Sequence, residues 1–102
     1  MITWGELVPA AQAAASVLAT ELSVEIVSLP LEGPWNRTAV LRSVAKTSKV
    51  IVLHLDGPDE RFADEVAAFI AEQGFEDLDA PVRRVSVAHD DVVASLRALA
   101  AY

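Results

Sequence analysis

The sequence predicts an α/β fold: a three-layer α/β/α sandwich around a mostly parallel sheet of four or five strands. Three observations predict it. Short runs of β-branched and aliphatic residues alternate with longer segments of helical periodicity. The order strand then helix repeats four times, the order that gives a parallel sheet with right-handed crossovers. The clearest strand run, residues 50–55, is apolar almost throughout, as expected of a strand covered on both faces.

The elements follow in order. Ile2, Thr3 and Trp4 are β-prone, and Gly5 turns the chain. Leu7, Ala11, Ala14, Ala15, Leu18 and Leu22 then recur at helical spacing, and the alanines permit close approach to a sheet. Residues 24–29 read as a buried strand ended by Pro30. Residues 31–36, with Gly33 and Pro34, form a loop, and Asn36 caps a helix over 37–46 with Val40, Leu41 and Val44 inward. Lys46 and Lys49 flank its end, where the helix dipole favours cations. Residues 50–55 form the third strand, and Asp56-Gly57-Pro58 turns away from it. Asp59 caps a helix that turns Phe62, Val66, Phe69, Ile70 and Gln73 inward and Glu60, Asp64, Glu65 and Glu72 outward. Gly74 stands where a left-handed glycine ends such a helix. Residues 82–87 make a last strand. Asp90 or Asp91 caps a final helix carrying Val92, Val93, Leu96 and Leu99 on one side.

Composition narrows the function. A chain of 102 residues with 53% hydrophobic content folds as one domain, residues 1–102, and is not a disordered tail. It has no Cys, which removes disulfides, thiolate chemistry and Cys-based zinc sites. The net charge of −7 opposes phosphate backbones and anionic lipid surfaces, so neither nucleic acid nor membrane is an expected partner. The N-terminal apolar stretch has no basic flank and is interrupted by Glu6 and Pro9, so it reads as a folded helix rather than a secretion signal. A cytoplasmic location is expected.

Functional groups in such folds gather at the carboxyl ends of the strands. Here those ends hold Gly5-Glu6, residues 30–32, residues 54–59 and residues 88–91. His54 with Asp56 and Asp59 could supply a general base or a metal ligand. The same aspartates are also ordinary turn and cap residues. His89-Asp90-Asp91 is a second such group, and acids at a helix start are explained by the dipole alone. Single glycines exclude the G-x-G-x-x-G and P-loop patterns. G-x-S-x-G and H-E-x-x-H are absent. An acidic pair after the first strand and a Lys after the last, as receiver domains require, are also absent. Trp35, in a loop, is expected to be partly exposed, either as an interface anchor or folded over the sheet edge.

Several stretches together resemble a known family. Residues 41–54, with Ser43, Lys46 and Thr47 as a Ser-x-x-Lys-Thr core, resemble the helix-to-strand passage of transketolase C-terminal domains. The nearest likeness is to the beta subunit of the decarboxylating component of 2-oxo acid dehydrogenases. Trp4-Gly5 with the Ala-rich helix resembles the family's opening. Residues 24–36 resemble its second strand and cap, and residues 65–85, ending Leu78-Asp79-Ala80-Pro81-Val82-Arg83-Arg84-Val85, resemble the lead into its last strand. The likeness covers most of residues 3–87.

The resemblance implies a transketolase C-terminal-like fold and a limited role. The family uses thiamine diphosphate and Mg, held between two other domains, while this domain packs against them and serves assembly. The Gly-Asp-Gly…Asn metal motif is missing here, so no cofactor-binding, metal-binding or catalytic residue carries over. Where the family has an Asp and an Arg after the second strand, Ser28 and Pro30 stand. The acid that follows the strand-end His is Leu55 here, and Asp56-Gly57-Pro58 replaces a Gly-rich stretch. After Val87 the family's proline-containing extension gives way to a direct turn into the last helix. Met1 stands almost inside the first strand, so a preceding antiparallel edge strand of the family fold is expected to be cut off or absent.

The reading that results is a non-catalytic assembly domain, as a small subunit or an excised C-terminal domain. Its interface candidates are Trp35, His54 and Arg84, and its partner is another protein or a second copy. One alternative is a small enzyme using His54 with Asp56, Asp59 or Glu32. Another is a small-molecule or anion-binding regulatory module built on the helix starts at Glu6, Asn36 and Asp59.

Overall fold

The computed structural model describes residues 1–31, 33–57 and 59–102. Glu32 and Pro58, named above as a candidate acid and as part of a turn, lie outside the described residues. Strand β1 is Ile2–Trp4, followed by a 3-10 turn at Gly5–Leu7 and helix α1, Val8–Val17. Strand β2 is Val27–Leu29, α2 is Arg37–Thr47 and β3 is Ile51–His54. Helix α3 is Asp59–Gln73, then comes a 3-10 turn at Phe75–Asp77, strand β4, Arg83–Ser86, and helix α4, Val92–Ala100.

The four strands form one parallel sheet in the order β2-β1-β3-β4. The chain steps one way from β1 to β2, then the other way from β2 to β3 to β4. With crossovers of one hand, that reversal must place α1 on one face and α2 and α3 on the other. The core shows this arrangement. Ile2, Trp4, Leu29, Val50 and Val52 pack with Val40 and Val44 of α2 and with Ala63, Val66 and Ile70 of α3. Met1, Ile51, Leu53 and Val85 pack with Ala11, Ala14 and Leu18 of the first helical segment and with Leu96 and Leu99 of α4. Residues 50–54 are buried on both faces, which is why their run carries no polar alternation. Burial of each large aliphatic side chain there contributes about 1.5–3 kcal/mol relative to exposure.

The three-layer architecture with four strands is the one the alternation predicts, and three local readings are corrected. The second strand begins at Val27 rather than residue 24, because β1 offers its first ladder partner only there, Ile2 facing Val27. Glu25 turns its carboxylate to α2 instead, accepting from Ser43 Oγ at 2.5 Å and Lys46 Nζ at 2.9 Å. Gln73 is exposed, and the buried face of α3 is Ala63, Val66 and Ile70, with Ala63 near the start of the helix. Gly74 has φ −104°, so it is not a left-handed cap. A Cβ there would stand 3.0 Å from the Ile70 carbonyl and 3.2 Å from Val44 Cγ1, so its lack of a side chain lets α3 approach α2. The left-handed cap is Ser48, at φ 64°, closing α2.

Asn36 caps α2 by accepting from the Ala39 N–H at 2.9 Å, and Asp91 caps α4 by accepting from the Ala94 N–H at 3.0 Å. At the amino end of the sheet the Met1 amine donates to the Glu25 carbonyl at 2.7 Å. Burial pushes that amine down to about 6, with the Glu25 charge opposing the shift. An ion pair at 2.9 Å joins Glu21, after α1, to Arg97 of α4. Their hydrogen bond lowers the Glu21 carboxyl and raises the Arg97 guanidinium.

Candidate functional site

In an open parallel sheet, ligands enter the crevice outside the strands' carboxyl ends, where successive connections leave to opposite faces. That point lies here between β1 and β3, whose following helices, α1 and α3, cover opposite faces. Its described residues are Trp4 at the end of β1 with Gly5 and Glu6 after it, His54 at the end of β3 with residues 55–57 after it, and Asp59 at the start of α3. Gly5 makes the sharp exit from β1 at φ 52°, a conformation that costs a side chain steric strain.

A protein contact spans the crevice. Trp4 is 1% exposed, and its indole N–H donates to Asp59 Oδ2 at 3.1 Å. Asp59 is the first residue of α3, inside the helix rather than flanking it, and its carboxylate is committed to Trp4. Phe62 packs edge-on to Trp4, with ring centroids 4.8 Å apart. Trp35 follows with Phe69 at 5.1 Å, and the Arg37 guanidinium lies 4.2 Å over the Trp35 ring. The expected partial exposure of Trp35 is therefore corrected. It is 6% exposed, folded onto α3 beneath Arg37.

The grouping of His54 with Asp56 and Asp59 does not form. His54 is buried, and its Nδ1 lies 2.8 Å from the Leu55 carbonyl. A carbonyl only accepts, so Nδ1 carries the proton and donates to the next residue, just past the end of β3. Asp56 turns away to β4, where Ser86 Oγ donates to its Oδ1 at 2.8 Å and His89 Nε2 pairs with its Oδ2. Asp90 accepts the Ser86 N–H at 2.8 Å, and Ser86 Oγ accepts the Ala88 N–H at 3.3 Å. The result is a clasp between the loops that leave β3 and β4.

Ser, Asp and His meet in this clasp in the wrong order for nucleophilic catalysis. A catalytic His stands between Ser and Asp, taking the hydroxyl proton on one nitrogen and donating from the other. Here Asp56 stands between Ser86 and His89, and the His has no contact with the hydroxyl. The clasp follows from the parallel register. His54 faces Ser86, so Asp56, two residues on, and His89, three residues on, leave the sheet side by side. The adjacency of β3 and β4 is the signal that joins them, and residue type alone does not reveal it.

Of the three interface candidates, Trp35 and His54 are buried and Arg84 is exposed, paired with Asp64 of α3. Among the described residues the exposed large hydrophobic side chains are Val17, Leu31, Leu55, Phe75 and Tyr102. At the amino end, a cavity of about 140 Å³ is lined by Met1, Leu22, Val24, Ile51, Leu96 and Leu99 among others. That is below the roughly 300–1,000 Å³ of sites for drug-sized ligands. Among the described residues no group of three His, Cys, Asp or Glu side chains could hold a metal ion, and no helix is long and apolar enough to cross a membrane.

A four-stranded parallel sheet with two helices on each face, where Trp4 pairs with Asp59 and Asp56 with Ser86 and His89 at the strand ends, defines a three-layer α/β domain. Residues 1–101 match the family model described as transketolase, C-terminal domain, and the chain belongs to that family. It is 38% identical over 87 residues to the pyruvate dehydrogenase E1 component subunit beta of Leifsonia xyli subsp. xyli, covering 84% of this chain and 26% of that protein. It is 34% identical over 87 residues to the 2-oxoisovalerate dehydrogenase subunit beta of Bacillus subtilis, covering 84% of this chain and 27% of that protein. It is 30% identical over 83 residues to the acetoin:2,6-dichlorophenolindophenol oxidoreductase subunit beta of Bacillus subtilis, covering 81% of this chain and 24% of that protein. The chain thus spans about a quarter of the length of these curated relatives.

The residues present do not fit a thiamine diphosphate–magnesium pair. Its metal needs a set of free oxygen donors, and among the described residues Asp56, Asp59, Asp90 and Asp91 are committed to Ser86 and His89, Trp4, the Ser86 N–H and the Ala94 N–H respectively, while Glu6 alone makes no such set.

Proposed function

We propose that this chain is an assembly domain, one folded unit over residues 1–102, of or derived from a thiamine-diphosphate-dependent 2-oxo acid dehydrogenase or transketolase-like enzyme. The observation that carries the reading is a pairing of two facts. The family match runs over residues 1–101, while the chain covers only about a quarter of its relatives. The strand-end geometry supports it, because Trp4–Asp59 spans the crevice and Asp56–Ser86–His89 joins the neighbouring loops. In this reading the cofactor and its metal sit on other domains or subunits. This chain contributes surface, with Arg84 and exposed apolar side chains such as Leu31, Leu55 and Phe75 offered to a protein partner in the cytoplasm.

The test is light scattering with size-exclusion chromatography of the chain, alone and mixed with the products of neighbouring reading frames. A stable complex is expected with a product that carries the thiamine diphosphate motif. A chain that stays monomeric in every mixture overturns the assembly role. Calorimetry with thiamine diphosphate and magnesium supplies the second arm. No heat of binding is expected from the chain alone, and tight binding overturns the non-catalytic reading.

A further inference from the structure

Asp56 and Gly57 form the one Asp-Gly pair in the sequence. They carry the chain out of β3, with Gly57 at φ 87° and open space where a Cβ would stand. Among the described residues the Gly57 N–H has no hydrogen-bond partner. Aspartate before glycine is prone to a spontaneous ring closure, because no side chain shields the following nitrogen. The Gly57 nitrogen attacks Cγ of the protonated Asp56 carboxyl, a C–N bond forms, and the carboxyl OH leaves as water with the amide proton; the proton taken from solvent to form that carboxyl is returned when the ring opens to a carboxylate. Water then opens the succinimide at either carbonyl. One opening restores aspartate; the other routes the backbone through Cγ as isoaspartate. Nothing is oxidised or reduced, and the only co-reactant is water.

The folded chain opposes the first step. Ser86 Oγ holds one Asp56 oxygen at 2.8 Å and His89 pairs with the other, so attack on Cγ and loss of a carboxyl oxygen must break these contacts. We propose that Asp56 is a site of spontaneous isoaspartate formation, and that the clasp from Ser86 and His89 restrains the reaction in the folded chain. A backbone rerouted through Cγ lengthens the β3–α3 connection by one atom at the residue that ties it to β4. Modification therefore opens the clasp, and closure of the clasp slows modification.

The experiment incubates the full chain, its His89→Gln variant and a synthetic peptide of residues 53–61 at neutral pH. Isoaspartate is read by enzymatic methyl transfer and placed by tryptic mapping on the peptide ending at Arg61. The His89 side chain is 72% exposed, so its replacement leaves the core intact, and a melting curve checks this. The free peptide is expected to react about tenfold faster than the folded chain, equivalent to roughly 1.4 kcal/mol of restraint. The His89→Gln variant is expected to fall between them with an unaltered melting midpoint. A folded chain that keeps pace with the peptide overturns the proposal, as does a folded variant that reacts no faster than the parent.

Discussion

Trp4 combines two demands that a β-prone residue ordinarily meets separately. Its ring fills the core between the sheet and α3, and its N–H must still find an acceptor, which Asp59 supplies. Trp4→Phe keeps most of the packing and removes the donor. It is expected to lower stability by about 2 kcal/mol, the usual worth of a hydrogen bond to a charged group, read from urea denaturation. Glu25 is the corresponding case for charge. The hydrogen bond from Ser43 first, and that from Lys46 second, hold its carboxyl below the ordinary value of 4.5. A depressed folded value means that the unfolded chain binds the proton first as pH falls. The Glu25 contribution is therefore complete above about 4.5 and is lost as pH drops through the lower folded value. Melting curves taken at falling pH should show a shallower acid loss for Glu25→Gln than for the parent chain. Equal slopes would show that Glu25 titrates alike in both states.

At the scale of elements, chain ends and strand registers fix what periodicity leaves open. The cap Asn36 was legible, and Asp91 was one of two candidates with Asp90, because short polar side chains before an apolar-periodic run satisfy the first free N–H groups locally. The helix ends were less so. Ser48 takes the left-handed cap without a glycine, while Gly74, which looked like that cap, serves interhelix contact. The two sites make opposite predictions. Ser48→Gly removes the strain of a side chain at φ 64° and is expected to raise stability by about 0.5–1 kcal/mol. Gly74→Ala drives a Cβ toward the Ile70 carbonyl and is expected to cost about 1–3 kcal/mol. Thermal melts of the two variants read both signs. If Gly74→Ala matches the parent, the close α2–α3 approach at that point is wrong.

For the whole molecule, the net charge of −7 opposes compaction while two apolar layers drive it. The melting midpoint should therefore rise as salt increases from low to physiological ionic strength, where the Debye length falls to about 8 Å. A midpoint that falls instead would mean that pairs such as Glu21–Arg97 and Glu25–Lys46 outweigh the general repulsion. The sequence by itself determined the layers, the four strand-helix repeats, most inward faces and the family likeness. The first three rest on local propensity or on apolar spacing along one segment, and the likeness rests on the resemblance of several ordered stretches to the family. Only the tertiary structure decided the fate of the strand-end groups. Which side chains meet there depends on strand order and register, and those are set by burial on both faces of the sheet. His54, Asp56 and Asp59 are close in sequence, but the sheet sends them to Leu55, Ser86 with His89, and Trp4 respectively. The groups that looked like a reactive site are held apart because each has a nearer structural partner.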